Sequence, residues 1–267
     1  MNILDNASEQ VLQAMRQREK DYIERKAPGF VEPTPEQVEF SRNYWQKVFS
    51  EPEKKPALLM SRSTACEMDY EVARRKLWEI LEERAVQISQ IKNEDFRWIF
   101  DASQVSTIRN VIRYFINDRN CEWSLSKGLF IYGAPGTTKT ELMECIEKFC
   151  ERYKLTKSFK MCSLSDIYTK AKSNKDYDPI TPNVQNDRCF DELGFYMGGV
   201  NRYGDQIDID QSIIEQRYQR MRNYGQLTHF IANATPNELE PSFTPMVFDR
   251  LRAMCTSVHF TGKSKRQ

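Results

Sequence analysis

Histidine is scarce in this chain of 267 residues: there are two, His229 and His259. The seven cysteines include no Cys-x-x-Cys pair, so the sequence argues against a zinc site. An odd number of cysteines without pairing spacings fits reduced thiols in a core rather than a disulfide framework. No apolar run approaches the roughly 20 residues that a membrane-spanning helix needs. The opening "MNILDNASEQ" lacks a basic-then-apolar layout, so no signal peptide, no membrane partner and a cytoplasmic location are expected. Charge of one sign is also missing. With 39 Lys+Arg against 38 Asp+Glu the net charge is +1, which excludes a bulk polycation. Any nucleic-acid contact must come from a local patch or from assembly into an oligomer.

What is present is a polar, globular composition, 40% hydrophobic and 29% charged, with two textures along it. Residues 1–92 read as a smaller, all-helical N-terminal region. Helices are expected from Ser8, from Thr34 with Pro35 at its first position, and over "DYEVARRKLWEILEERAVQISQI". The last carries an apolar stripe of Val72, Leu77, Ile80, Leu81, Val86 and Ile88. Over residues 93–267, an aromatic lead-in and a helix are followed by short β-like runs alternating with helical stretches. The runs "GLFIY", "KSFKMC", "DRCFDELG", "LTHFIANA" and "TSVHFTG" predict an α/β fold, a parallel sheet with helices on both faces.

The most informative stretch is "GLFIYGAPGTTKTELM". A strand enters a Gly/Pro turn and leaves into a helix, so backbone amides and the helix dipole converge on one point, as a triphosphate requires. Gly133, Ala134, Pro135, Gly136, Thr137, Thr138, Lys139, Thr140 and Glu141 form this candidate ATP site. Lys139 is placed to reach the β- and γ-phosphates and Thr140 to hold Mg²⁺. Thr138 stands where the P-loop pattern has glycine. Because it directly precedes the helical lysine, a right-handed backbone that tolerates threonine is expected there.

Hydrolysis needs a metal-organising carboxylate and a base at the end of a strand. "RCFDELG" supplies Asp191 for Mg²⁺ and Glu192 for the attacking water. Asn233, after the apolar run Leu227–Ala232, is a candidate for positioning that water. Arg250 is a candidate arginine finger toward a neighbouring subunit, with Arg252 competing. Arg266 faces the protomer's own nucleotide or belongs to a basic tail. Tyr168, Lys170 and Lys172 follow the second strand-like run, where a lysine run is commonly a solvated face.

Taken in order, "GAPGTTKT", "FDELG", "NRYGDQIDIDQSIIEQRYQR", "IANATPNEL", "FDRLRAMC" and "FTGKSKR" resemble the AAA+ ATPases of the DnaC-type helicase-loader and IstB-type transposition-helper group. The resemblance covers about residues 93–267. It implies a P-loop (AAA+/RecA-like) five-stranded parallel sheet without a C-terminal lid. It also implies ATP and Mg²⁺ as cofactors and self-association through the ATP sites. The partners it implies are a replicative helicase, bound by residues 1–92, and single-stranded DNA, with Tyr168, Lys170 and Lys172 as the candidate contacts. A transposase with duplex DNA, or a low-turnover nucleotide-sensing adaptor, are the alternatives. On the same resemblance Arg217 sits near the nucleotide or a subunit boundary; an ordinary amphipathic helix is the competing reading. Thr138, and Glu192 where loaders often carry a second aspartate, depart from the family pattern.

Overall fold

The computed structural model describes residues 65–174, 176–196, 199–202 and 205–262. The helices expected from Ser8 and Thr34, and Arg266, lie outside the described residues. The chain divides into two compact units, Met1–Leu58 and Leu59–Gln267, and the second contains everything below.

Five parallel strands form the sheet: β1 (Gly128–Tyr132), β2 (Lys160–Ser163), β3 (Arg188–Asp191), and, after a hairpin, β6 (Thr228–Ala232) and β7 (Cys255–His259). The hairpin strands are β4 (Val200–Arg202) and β5 (Asp205–Ile207), which pair antiparallel. Sheet order is β2-β3-β6-β1-β7. The five runs expected from the sequence are thus the five strands of an α/β fold. The hairpin was not foreseen: the stretch around "VNRYGDQI" reads only as a loop.

Burial explains the strand sequences. β1 and β6 lie inside the sheet and are buried on both faces; β1 is a continuous apolar run, and β6 is apolar from Phe230 after the buried Thr228 and His229. β3 begins with charge because its start lies at the rim. The Asp187 carboxylate accepts the Leu227 amide at 2.9 Å, and Arg188 turns back to the carbonyls of Pro182 and Gln185. In register, Phe130 faces Phe230 of β6 and Ser257 of β7, which fixes the centre of the sheet.

Helices cover both faces. On one side pack α1 (Tyr70–Lys92), α2 (Ala102–Phe115) and α3 (Lys139–Arg152). Here Leu77, Ile80, Leu81, Phe115, Ile146 and Phe149 share one core with Leu129 and Ile131. On the other pack α4 (Leu164–Ser173), α6 (Ile209–Tyr224) and α8 (Pro245–Met254), with α5 (Thr181–Val184) and α7 (Pro236–Leu239) as short connectors. Phe130, Phe190 and Phe230 point into this second core. Each fully buried large side chain contributes roughly 1.5–3 kcal/mol.

The helix boundaries have local causes. The Asp69 carboxylate caps α1 by accepting the amides of Glu71 and Val72, and Asn93 closes it with a left-handed residue at φ 54°. Asp101 and Gln104 make a capping box on α2, and Thr235 and Glu238 make another on α7. The sequence analysis placed α1 in the N-terminal region. Its buried face, Ala73, Leu77, Ile80, Leu81 and Ile88, belongs to the compact unit of the sheet, while Val86 is 57% exposed.

Arg217 departs from its expected place. It is fully buried on α6 at the N-terminal ends of the strands, the edge opposite the P-loop. It donates to Thr228 Oγ1 at 2.7 Å and to the carbonyls of Val184, Asn186 and Leu227 at 2.7, 2.6 and 2.5 Å. Desolvation lowers its pKa to about 10, still charged at neutral pH. The guanidinium ties α6 to the starts of β3 and β6, and its role is structural. Arg217→Ala strands three carbonyls and is expected to cost about 3–5 kcal/mol, read as a fall in the urea midpoint. A loss under 1 kcal/mol would contradict this role.

Candidate functional site

The site forms along the C-terminal ends of β3, β6 and β1, which are adjacent. Each strand delivers one component because a parallel sheet points all its strand ends the same way. β1 leads into the loop 133–138, which opens α3. Gly133 is required by close approach: a Cβ there would lie 2.2 Å from the Phe260 carbonyl oxygen. Gly136 is required by its backbone, at φ 80°. Ala134 and Pro135 are exposed at the loop's crest.

Thr138 corrects an expectation. Its backbone is left-handed, φ 65° and ψ 24°, not right-handed. A β-branched residue there carries strain on the order of 1–3 kcal/mol. Its hydroxyl donates to the Thr137 carbonyl at 2.6 Å, which offsets part of that cost. The glycine of the general pattern therefore answers to a real geometric demand that this chain meets with a strained residue.

Lys139 is the focus of the loop. It is only 4% exposed, and its ammonium donates to the carbonyls of Gly133 and Ala134 at 2.9 and 3.0 Å. It also donates to Asn233 Oδ1 at 3.0 Å, across 94 positions of sequence. Asn233 follows β6 directly, and β6 lies between β1 and β3, so the amide stands between the lysine and the acidic pair.

The next residue makes the other long-range link. Thr140 Oγ1 donates to Asp191 Oδ2 at 2.8 Å, across 51 positions. Burial raises the Asp191 pKa, against the opposing pulls of Thr140, the Glu192 amide and Lys139. A hydroxyl and a carboxylate side by side are hard oxygen donors, a set that fits a small divalent cation such as Mg²⁺. The Glu192 amide donates to Asp191 Oδ1 at 2.8 Å, and Glu192 itself has a left-handed backbone at φ 66°. The Leu193 amide donates to Ile231 O at 2.9 Å and holds this turn against β6.

These groups line one cleft: Gly136, Thr137, Thr138, Lys139, Thr140, Glu141, Asp191, Glu192 and Asn233, joined by Lys92 and Phe96. The last two belong to none of the sequence motifs. No local signal marks them, because they reach the cleft only when the end of α1 packs beside the start of α3.

Arg250 is not among the cleft's lining residues. On α8 it pairs with Glu215 Oε1 at 3.0 Å and lies 5.5 Å from the Tyr218 ring centroid. Arg252 lies 3.7 Å from Glu240 and over Phe248. Tyr168 also departs from expectation. It is 1% exposed, packed in the second core and stacked on Tyr196 at 5.0 Å, so its ring is not available to a base. The face around it offers the exposed Lys170 and Lys172, with Lys172 over Tyr196 at 5.3 Å, and Phe195, which is 64% exposed.

One buried acid braces the turn after Glu192. Asp210, 4% exposed at the start of α6, accepts the Gly194 amide at 2.9 Å. Burial lifts its pKa from 3.8 to about 7, outweighing the Gly194 amide and the Tyr168 hydroxyl, which favour the charge.

No family model and no curated protein matches the chain. Solved structures similar to it include DnaI, at 16% identity and TM-score 0.47 over 64% of this chain and 88% of that one. The DnaC helicase loader aligns at 19% identity and TM-score 0.44 over 61% and 93%. AMPPCP-bound DnaA from Aquifex aeolicus aligns at 14% identity and TM-score 0.43 over 61% and 48%.

Thr138→Gly removes the strain and is expected to raise stability by about 1 kcal/mol, the gain being tempered by glycine's freedom in the unfolded chain. A lowered melting temperature would mean that the loop depends on the Thr138 hydroxyl. The Asp210 carboxyl titrates higher folded than unfolded. Its stabilisation is therefore complete below about pH 4 and is lost as pH rises to about 7. Asp210→Asn should flatten stability over that window and stabilise the protein at pH 8, by on the order of 2–4 kcal/mol. An unchanged pH profile in denaturant unfolding would rule out this assignment.

Proposed function

We propose that the chain is an ATP-binding and ATP-hydrolysing AAA+ factor that loads or remodels a replicative helicase on single-stranded DNA. The observation that carries the ATPase part is the meeting of Lys139 with Asn233 and of Thr140 with Asp191 on one strand edge. The loader part rests on the sequence resemblance over residues 93–267, above all the block "FDRLRAMC" to "FTGKSKR".

In this reading the amides of residues 133–140 and the start of α3 cradle the phosphates. Phosphate oxygens replace the Gly133 and Ala134 carbonyls as acceptors for the Lys139 ammonium. Thr140 and Asp191 would hold Mg²⁺, whose charge would polarise the β- and γ-phosphates. Glu192 accepts a proton from water as the water oxygen bonds to the γ-phosphorus. The bond to the β-phosphate oxygen breaks, and ADP and phosphate leave. Asn233 fixes the water and the γ-phosphate. Arg250 acts on the site of a second copy, after exchanging Glu215 for phosphate, which makes self-association part of turnover. Lys170 and Lys172 attract the DNA backbone and Phe195 supplies a stacking ring. Such a factor works in the cytoplasm.

Lys139→Ala should abolish ATP binding, measured by titration with a fluorescent ATP analogue. Glu192→Gln should keep binding and lower phosphate release about a hundredfold or more. Arg250→Ala should bind ATP yet lose DNA-stimulated turnover. Equal turnover by wild type and Glu192→Gln would overturn the hydrolysis assignment. Capture of a transposase instead of a hexameric helicase would overturn the loader assignment.

A further inference from the structure

The end of α1 places a cation at the phosphate loop that none of the sequence motifs contains. α1 and α3 pack antiparallel. Lys76 lies over the Tyr153 ring at 4.0 Å, Glu83 takes both terminal nitrogens of Arg152 at 2.9 and 2.7 Å, and Arg84 pairs with Glu144 at 2.8 Å. Continuing that alignment brings Lys92, the last residue of α1, beside the first turn of α3, where Lys139, Thr140 and Glu141 stand.

The helix end is held in place. The Asn93 amide donates to Ser89 O and closes α1. The Phe96 amide donates to Ser89 Oγ at 2.9 Å, while that hydroxyl donates to Ala85 O at 2.9 Å. Trp98 then anchors the returning chain, its indole donating to Leu81 O at 2.7 Å. Lys92 and Phe96 consequently line the same cleft as Thr138, Lys139, Thr140, Glu141, Asp191 and Glu192. Lys92 is exposed, and its ammonium makes no ion pair or hydrogen bond among the described residues.

We propose that Lys92 is a second phosphate-binding lysine, which closes over the polyphosphate of a bound nucleotide from α1. The proposal rests on the nucleotide reading of the P-loop. The charge balance favours it. Glu141, Asp191 and Glu192 bring negative charge to a cleft that must also take a polyanion, and Lys139 is the one cation of the loop itself. A lysine on a flexible stem from a fixed helix end adds a charge-assisted contact without rearranging the fold. Because Glu83 and Arg84 of α1 are ion-paired to Arg152 and Glu144 of α3, nucleotide binding would then load α1 as well as the P-loop.

The test compares wild type with Lys92→Ala, Lys92→Arg and Lys139→Ala by titrating fluorescent ATP, ADP and AMP, with unliganded melting temperatures as the folding control. Lys92→Ala is expected to weaken ATP about tenfold, to weaken ADP less, and to leave AMP and the melting temperature unchanged. Lys92→Arg should restore ATP affinity to within about threefold. The loss with Lys92→Ala should shrink as salt rises. ATP affinity equal to wild type in Lys92→Ala, while Lys139→Ala abolishes binding, overturns the role of Lys92 and leaves the P-loop reading standing. A lowered melting temperature with unchanged ATP affinity assigns Lys92 to packing and also overturns it. If wild type binds no nucleotide, the P-loop reading fails first and this proposal with it.

Discussion

Everything in this molecule converges on the burial of one ammonium group. Lys139 is nearly inaccessible, and a buried cation is tolerated only where oxygen atoms surround it. Two loop carbonyls and the Asn233 amide oxygen meet that demand. The requirement constrains the sheet order. β6 has to lie between β1 and β3, so that Asn233 arrives beside the lysine and the acidic pair arrives one strand further on. The loop itself has to fold tightly enough to turn its carbonyls inward. Gly136 permits this, and Thr138 does so under strain.

The same geometry explains how the two sides of the sheet divide the work. One side carries α1, α2 and α3 and supports the phosphate loop from behind. The other carries α4, α6 and α8 and supports the acidic turn. Asp210 connects the start of α6 to Gly194, two residues past Glu192, and Arg217 on the same helix pins the far ends of β3 and β6. α6 therefore braces β3 at both ends. The left-handed residues Thr138 and Glu192 mark the two places where the cleft departs from relaxed backbone, and both line it. Such strain persists where surrounding structure over-determines it, here the closure of α3 on one side and the Leu193–Ile231 hydrogen bond on the other.

Much of this was legible in the chain. "GLFIY" reads as a strand buried on both faces, because a short apolar run without alternation, bounded by turn residues, fits an interior strand. Asp191 and Glu192 could be assigned to one site with Lys139, since a parallel sheet delivers successive strand ends to a common edge. Tyr168 was misjudged because its lysine-rich neighbours suggest a solvent face. The helical period in fact turns the ring inward while Lys170 and Lys172 stay outside. Arg217 is the opposite case: on a helix that also carries Arg220 and Arg222, nothing in the sequence singles out the one for which three carbonyls wait below.

By itself the sequence determined the order of the five sheet strands, the Gly-rich turn between β1 and α3, and the position of the acidic pair after β3. These follow from hydrophobic period and from residue types at short spacings, which a chain carries locally. The left-handed turn at Thr138, the burial of Tyr168 and Arg217, and the arrival of Lys92 at the cleft were decided by tertiary structure alone. The last three depend on which surfaces α1, α4 and α6 present to the sheet. That is a matter of packing between segments far apart in the chain, where no local pattern speaks.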